Sequence, residues 1–320
     1  MRARRCFAAL AVACSTLACS APLVEDCVRG DLDARYCDRD NDLVADVSHE
    51  GLLLDPATLV FAYTPVEDPA QFRGVWSDFL QHLEEIVDRE VLFFPVQSNA
   101  AQIEAMRAGR LHVAGFNTGS VPLAVNCAGF RPLAMMARAD GTFGYEMELL
   151  TRHDSGLERV EDLRGRSLAF TSPTSNSGFK APSVLLEAEF GMVAEQDFDV
   201  VFSGRHDNSV LGVLQGDYEA AAVANQVIDQ VLARGVGSRD DLRVLYTSVS
   251  FPTTAYGVSN RLAPDIAEGV REAFRTFPWE GSGLDAEFQD EDGFIDITYQ
   301  EHWEVIRTID QASGTSWGCR

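Results

Sequence analysis

Between Thr58 and Phe116 the chain alternates strand-like and helix-like patterns, and that alternation limits the fold more than any other feature. Leu59-Val60-Phe61-Ala62-Tyr63 reads as a buried strand. Phe72, Val75, Trp76, Phe79, Leu80, Leu83 and Ile86 then recur at helical spacing up to Val87. Val91 to Val96 is the next strand, Ala100 to Ala108 a helix stopped by Gly109, and Leu111 to Phe116 a third strand. Strands separated by helices pair in parallel, and a parallel sheet receives ligands beyond the C-terminal ends of its strands.

The middle of the chain repeats this logic. Leu168-Ala169-Phe170 precedes a helical stretch, Val200-Val201-Phe202 a helix over about 208–214, and Ala220 to Val223 a helix over about 226–233. An α/β architecture of two lobes follows, with mixed, mostly parallel sheets joined by two hinge strands. The expected boundaries are 57–145 for the first lobe, 146–247 for the second and 248–320 for the return, with helices at Pro264–Thr276 and Gln300–Ile309. The crossing strands are expected near Tyr145–Thr151 and Val244–Ser250, with a cleft between the lobes.

Each strand ends in a polar loop, and these loops converge on that cleft. The candidate binding residues are Tyr63 after the first strand, Asn117, Thr118 and Ser120 after the third, Ser175, Asn176 and Ser177 in "TSPTSNSGF", His206 and Asp207 after the next, and Asn225 after the last. A helix start leaves backbone N–H groups unpaired and carries about half a positive charge, so it holds an anion without a formal cation. Ser175 to Gly178 at such a start is an oxyanion cradle; plain capping needs only one such residue. His206 is read as a hydrogen-bond donor to the anion, with Asp207 fixing its tautomer or capping the helix at Asn208. The formal net charge of −23 argues against nucleic acid and requires any anion site to be local.

The N-terminus reads as an export leader over residues 1–19. Met1 to Arg5 is basic, and Cys6 to Ala18 is apolar and small. Thr16-Leu17-Ala18-Cys19 resembles a lipobox with Leu one place late, which makes Cys19 the lipidation site; ordinary cleavage near Ala21 is the alternative. No internal apolar run reaches the roughly 20 residues of a membrane span. Outside the leader four cysteines remain, Cys27, Cys37, Cys127 and Cys319, an even number that in an oxidising compartment suggests disulfides. Cys27–Cys37 closing a short loop and Cys127–Cys319 tying down the chain end is the preferred pairing of three. Residues 20–56 are expected as a tether with one irregular acidic segment. There Asp38, Asp40, Asp42 and Asp46 resemble a D-x-D-x-D calcium loop, with Leu43 at the usual glycine place and His49 at the usual glutamate place. A structural calcium ion and a solvated acidic turn both remain open; no other cofactor is expected.

"FAYTPVEDP", "FTSPTSNSGFKAP" and "FSGRHDNSVLGVLQGDYEAAAV", with the leader, resemble the phosphate/phosphite/phosphonate-binding proteins of bacterial ABC importers over roughly residues 57–275. The resemblance implies a type II periplasmic-binding-protein-like fold, capture of a phosphorus oxyanion, delivery to a membrane ABC permease, a monomeric chain in the periplasm or anchored to the cell envelope, and no enzyme activity. It places the cradle at Ser175, Asn176 and Ser177, with Asn176 where Thr is common, and puts His206 one residue late because of Arg205. Tyr63 takes the place of a first-lobe aromatic, and Phe116 that of another without its hydroxyl. Phe251 to Thr254 lacks the acid that would hold an ammonium group, which leaves phosphate, phosphite or a small alkylphosphonate. The alternatives are a metal-dependent phosphoesterase using His206 and Asp207, and a lipid-anchored sensor of the same fold.

Overall fold

The computed structural model describes residues 27–65, 68–314 and 319. The leader and Cys19 lie outside the described residues. Strands β1 (Thr58–Ala62), β2 (Glu90–Phe93) and β3 (Val113–Phe116) are parallel. Helices α1 (Phe72–Val75), α2 (Ser77–Val87) and α3 (Asn99–Arg107) connect them. The helix expected over 72–87 is interrupted at Trp76. Gly74 weakens the first piece, and the Trp76 ring is drawn into the core, 4.8 Å from Phe61 and 5.2 Å from Tyr256.

Helix α4 (Val121–Ala128) and strand β4 (Phe130–Ala137) complete the first pass. The second lobe runs β5 (Met147–Arg152), β6 (Ser167–Phe170), α5 (Ala181–Phe190), β7 (Asp199–Phe202), α6 (His206–Gln215), β8 (Ala220–Ala224), α7 (Asn225–Ala233) and β9 (Leu242–Thr247). The chain returns through β10 (Ala255–Ser259), α8 (Pro264–Thr276), α9 (Gly283–Glu287), β11 (Gly293–Asp296), α10 (Tyr299–His302) and α11 (Glu304–Ala312). The sheet orders are β11-β4-β10-β3-β1-β2 and β7-β6-β8-β5-β9. In each, parallel strands are joined by antiparallel ones that carry the chain between lobes.

The crossing differs from the sequence expectation. Segments 145–151 and 244–250 are mostly β5 and β9, paired with each other inside the second sheet. Their backbone groups stay in the ladder until the strands end, because an unpaired buried amide is costly. The crossings are the short stretches before β5 and after β9. Tyr145 and Phe251 clamp them together by exchanging backbone hydrogen bonds of 3.0 and 2.8 Å.

In the first lobe α2 buries Phe79, Leu80 and Leu83 against the sheet and against Ile266, Val270 and Phe274 of α8. Each such side chain contributes about 1.5–3 kcal/mol, and Leu83→Ala would cost about 2–5 kcal/mol. The second lobe instead centres on β8, Ala-Ala-Ala-Val-Ala, buried along its whole length with α6 packed close against it.

Residues 27–56 lie against the first lobe. Leu32, Tyr36, Val44 and Ala45 are buried, and Leu54 bridges Leu262. Cys27 pairs with Cys37, and Cys127 of α4 with Cys319. The helix expected over 300–309 is split at Trp303, whose indole N–H donates to the Thr118 carbonyl at 2.9 Å. Beyond it α11 packs against α5 of the second lobe, where the return to the first lobe was expected. Asp310 of α11 pairs there with Lys180 at 3.0 Å, both nearly inaccessible. Burial pushes the Asp310 carboxyl up to about 6 and the Lys180 ammonium down, each countered by the other's charge.

Candidate ligand-binding site

A cavity of about 380 Å³ opens between the lobes, at the C-terminal ends of the parallel strands of both sheets. The second-lobe wall begins where β6 runs into residues 171–178. Ser175 caps a π-helical turn, Asn176–Lys180, which leads directly into α5. The Ser175 hydroxyl oxygen accepts from the Gly178 amide at 3.0 Å. The first amides of a helix have no intrahelical acceptor, and those of Asn176 and Ser177 stand at this position in the turn. Gly178 allows the tight return: a Cβ there would sit 2.0 Å from Thr171 Oγ1.

His206, the first residue of α6, completes this wall. Its Nδ1 accepts from the Ala224 amide at 3.2 Å. Burial pushes its pKa down to about 4, so the ring is neutral near pH 7. A neutral ring accepting at Nδ1 carries its proton on Nε2, which donates to Ser175 Oγ at 3.2 Å. Ser175 Oγ thus accepts twice, and its own hydrogen is left to donate into the cavity. The wall offers neutral donors throughout. Arg205, the one cation among the described lining residues, is engaged by Asp207 at 3.2 Å and partly exposed.

The first-lobe wall carries Tyr63, Asn117, Thr118, Tyr256, Phe288 and Glu291. Tyr63 stacks on Tyr256, centroids 6.5 Å apart. Asn117 Nδ2 donates to Asn99 Oδ1 at 3.0 Å, and Asn99 Nδ2 crosses the cleft to Thr174 Oγ1 at 2.8 Å. Other contacts between the lobes are Lys180 Nζ to the Gly119 carbonyl (2.7 Å), Gln226 to Glu291 (3.1 Å) and Arg234 to Glu287 (3.1 Å). The lobes also pack tightly at Gly119, where a Cβ would lie 2.4 Å from the Thr174 carbonyl.

Some buried polar atoms have no partner among the described residues, and four of them belong to residues of this cavity: Thr171 Oγ1, Asn176 Oδ1, Thr253 Oγ1 and Glu291 Oε2.

Of the residues expected from sequence, Tyr63, Asn117, Thr118, Ser175, Asn176, Ser177 and His206 line the cavity. Ser120, Asp207 and Asn225 do not, because their polar groups serve the backbone around it. Ser120 bonds Asn117 through its amide and hydroxyl. Asp207 Oδ1 accepts from Arg205 and the Asn208 amide inside the first turn of α6, whose N-cap is Arg205 with no side-chain cap; the Ala224 amide, in place of Asp207, fixes the His206 tautomer. Asn225 ties α7 to Glu146 beside the crossing. Phe116 is buried and off the cavity wall. Asn99 follows β2 by the same strand-end rule as the others and was missed. Glu291 stands in the loop before β11, where no local pattern marks it.

In the acidic segment, Asp38, Asp40 and Asp42 bring ligand atoms within 4.8 Å of one another. Asp46, expected as a fourth ligand, pairs with Arg39 at 2.6 Å. Both Asp38 oxygens accept backbone amides, from Asp42 and Leu43.

The family described as "ABC transporter, phosphonate, periplasmic substrate-binding protein" matches residues 61–303. The phosphate-import protein PhnD of Mycolicibacterium smegmatis is 24% identical over 270 residues, covering 80% of this chain and 82% of that protein. Among solved structures, a binding-protein component of an ABC phosphonate transporter from Pseudomonas aeruginosa superposes with a TM-score of 0.73 at 19% identity, over 81% of this chain and 87% of that one. PhnD1 from Prochlorococcus marinus in complex with methylphosphonate gives 0.71 at 18% identity, over 80% and 98%.

Proposed function

The chain belongs to the periplasmic substrate-binding proteins of phosphonate ABC transporters, and from that premise we propose that its interlobe cavity captures phosphate, phosphite or a small alkylphosphonate and presents it to a membrane permease. It is a binding protein and not an enzyme. The observation that carries the choice of ligand is the neutral donor wall of Ser175, Asn176 and Ser177 at a helix start in a strongly acidic molecule, with His206 bracing Ser175 in place of the direct donation to the anion expected from sequence.

The oxyanion docks first on the second-lobe wall, where amides and hydroxyls replace its hydration shell. A charge buried without several donors would be too costly to hold. Asn117, Thr118 and Tyr63 then approach from the first lobe. Contacts such as Asn99–Thr174 and Arg234–Glu287 form only when the lobes meet, so ligand and interlobe contacts favour the same state. Anchoring of a monomer to the envelope through Cys19 completes the reading.

Calorimetric titration of the purified protein with phosphate, phosphite and methylphosphonate tests it. Saturable one-to-one binding of at least one is expected. Binding of none, in protein shown to be folded, would overturn the assignment.

A further inference from the structure

We propose that Glu291 is a specificity-determining residue of this cavity, holding the ligand through one proton shared between its Oε2 and an oxygen of the phosphorus oxyanion. The inference rests on the reading of the cavity as an oxyanion site and adds to it the protonation state that the site selects.

Glu291 is 5% exposed and belongs to the first-lobe wall. Its Oε1 accepts from Gln226 Nε2 at 3.1 Å, a residue of α7 that also lines the cavity. Its Oε2 is buried and has no partner among the described residues. Burial opposes its charge, and the field of Arg138 and the Gln226 hydrogen bond offset that only in part. Arg138 acts on it only through its field, while Asp290 and Asp292 on either side add negative charge. Asp292 Oδ2 accepts from the Ala139 amide. Tyr256, fully buried, faces it from β10 with Tyr63 stacked behind. Across the cavity stand neutral His206 and the engaged Arg205–Asp207 pair.

An ionised carboxylate can only accept hydrogen bonds, and so can a fully ionised phosphonate. Placed in one poorly solvated cavity the two repel, and Oε2 stays unpartnered. A single proton turns that repulsion into a charge-assisted hydrogen bond. It makes no difference whether the acid donates to the ligand or a P–OH donates to the carboxylate, since both describe the same bound species. Burial pushes Glu291 up to about 7, so the proton is within reach near neutral pH.

The test compares wild type with Glu291→Gln, which resembles the neutral acid in shape. Each is titrated with methylphosphonate from about pH 6 to about pH 9, in buffers of different ionisation enthalpy. The ligand's own ionisation is common to both proteins and cancels in the comparison. At the alkaline end wild type is expected to take up about one more proton on binding than the variant, its affinity falling about tenfold more per pH unit. Thermal unfolding confirms that the variant is folded. Equal proton uptake in the two proteins would overturn the proposal. So would tighter wild-type binding of aminomethylphosphonate as pH rises, lost in the variant, since the carboxylate would then be charged and holding an ammonium. If neither protein binds any phosphorus oxyanion, the function reading itself fails and the shared proton falls with it.

Discussion

The two walls of the cavity are built by different means. The second-lobe wall is almost continuous in sequence: residues 171–178 supply a capped helix start, and His206 braces Ser175 from the next helix. The first-lobe wall gathers Tyr63, Asn117, Tyr256 and Glu291 from widely separated stretches, and its polar groups mostly hold one another. One wall presents donors, while the other closes over the guest and sets a carboxyl group against it. Affinity for the anion should therefore reside in the second lobe, and selection among anions in the first.

The largest effect should come from the donor wall. Hydrogen bonds to a charged partner contribute about 1.5–3 kcal/mol each. Ser175→Ala with Ser177→Ala should weaken methylphosphonate binding by about 10²–10⁴-fold in calorimetry, with far-UV circular dichroism unchanged. An undiminished affinity would place the grip elsewhere.

Next in size is a pH effect of opposite sign on the two walls. The folded-state pKa of His206 is depressed from 6.5 to about 4. Between those values the unfolded chain binds more protons, so His206 makes stability rise with pH across that window. Glu291 is raised from 4.5 to about 7. There the folded chain holds the extra proton, so Glu291 makes stability fall as pH rises from about 4.5 to about 7. Each shift amounts to about 3 kcal/mol. Chemical denaturation across this range should show wild type gaining on His206→Gln and losing to Glu291→Gln as pH rises.

Smaller is the effect of Gly119→Ala. Its methyl would meet the Thr174 carbonyl, so the lobes must stand slightly apart. A penalty of about 1–3 kcal/mol should appear as roughly 5- to 150-fold weaker binding, with little change in unfolding temperature. Smallest is Arg234→Ala. The Arg234–Glu287 pair is partly exposed, and such pairs contribute about 0–1 kcal/mol, so affinity should fall no more than about fivefold.

How much was legible in the sequence divides along the same line. The βαβ alternation, the loop "TSPTSNSGF" and the helix start at His206 are local patterns, and local hydrogen bonding decides their shape. The cradle could therefore be read directly. Glu291 and Tyr256 reach the cavity only because β10 and β11 return to the first sheet, and nothing near them in the chain announces it. The crossing was misplaced for a related reason. Strand patterns show where β5 and β9 lie, but not that both pair within the second sheet up to their ends. Ser120, Asp207 and Asn225 show the limit of the strand-end rule: polar residues in such loops serve their own backbone as readily as a guest.

The central claim is that neutral donors of the second lobe, and no formal cation, hold the anion. A crystal structure with methylphosphonate bound tests it most directly. The account predicts phosphonate oxygens within hydrogen-bonding distance of the Ser175 and Ser177 hydroxyls and the Asn176 and Ser177 amides, with Arg205 still paired to Asp207. A phosphonate seated on the Arg205 guanidinium, or bound outside the cavity with the two serines untouched, would contradict it.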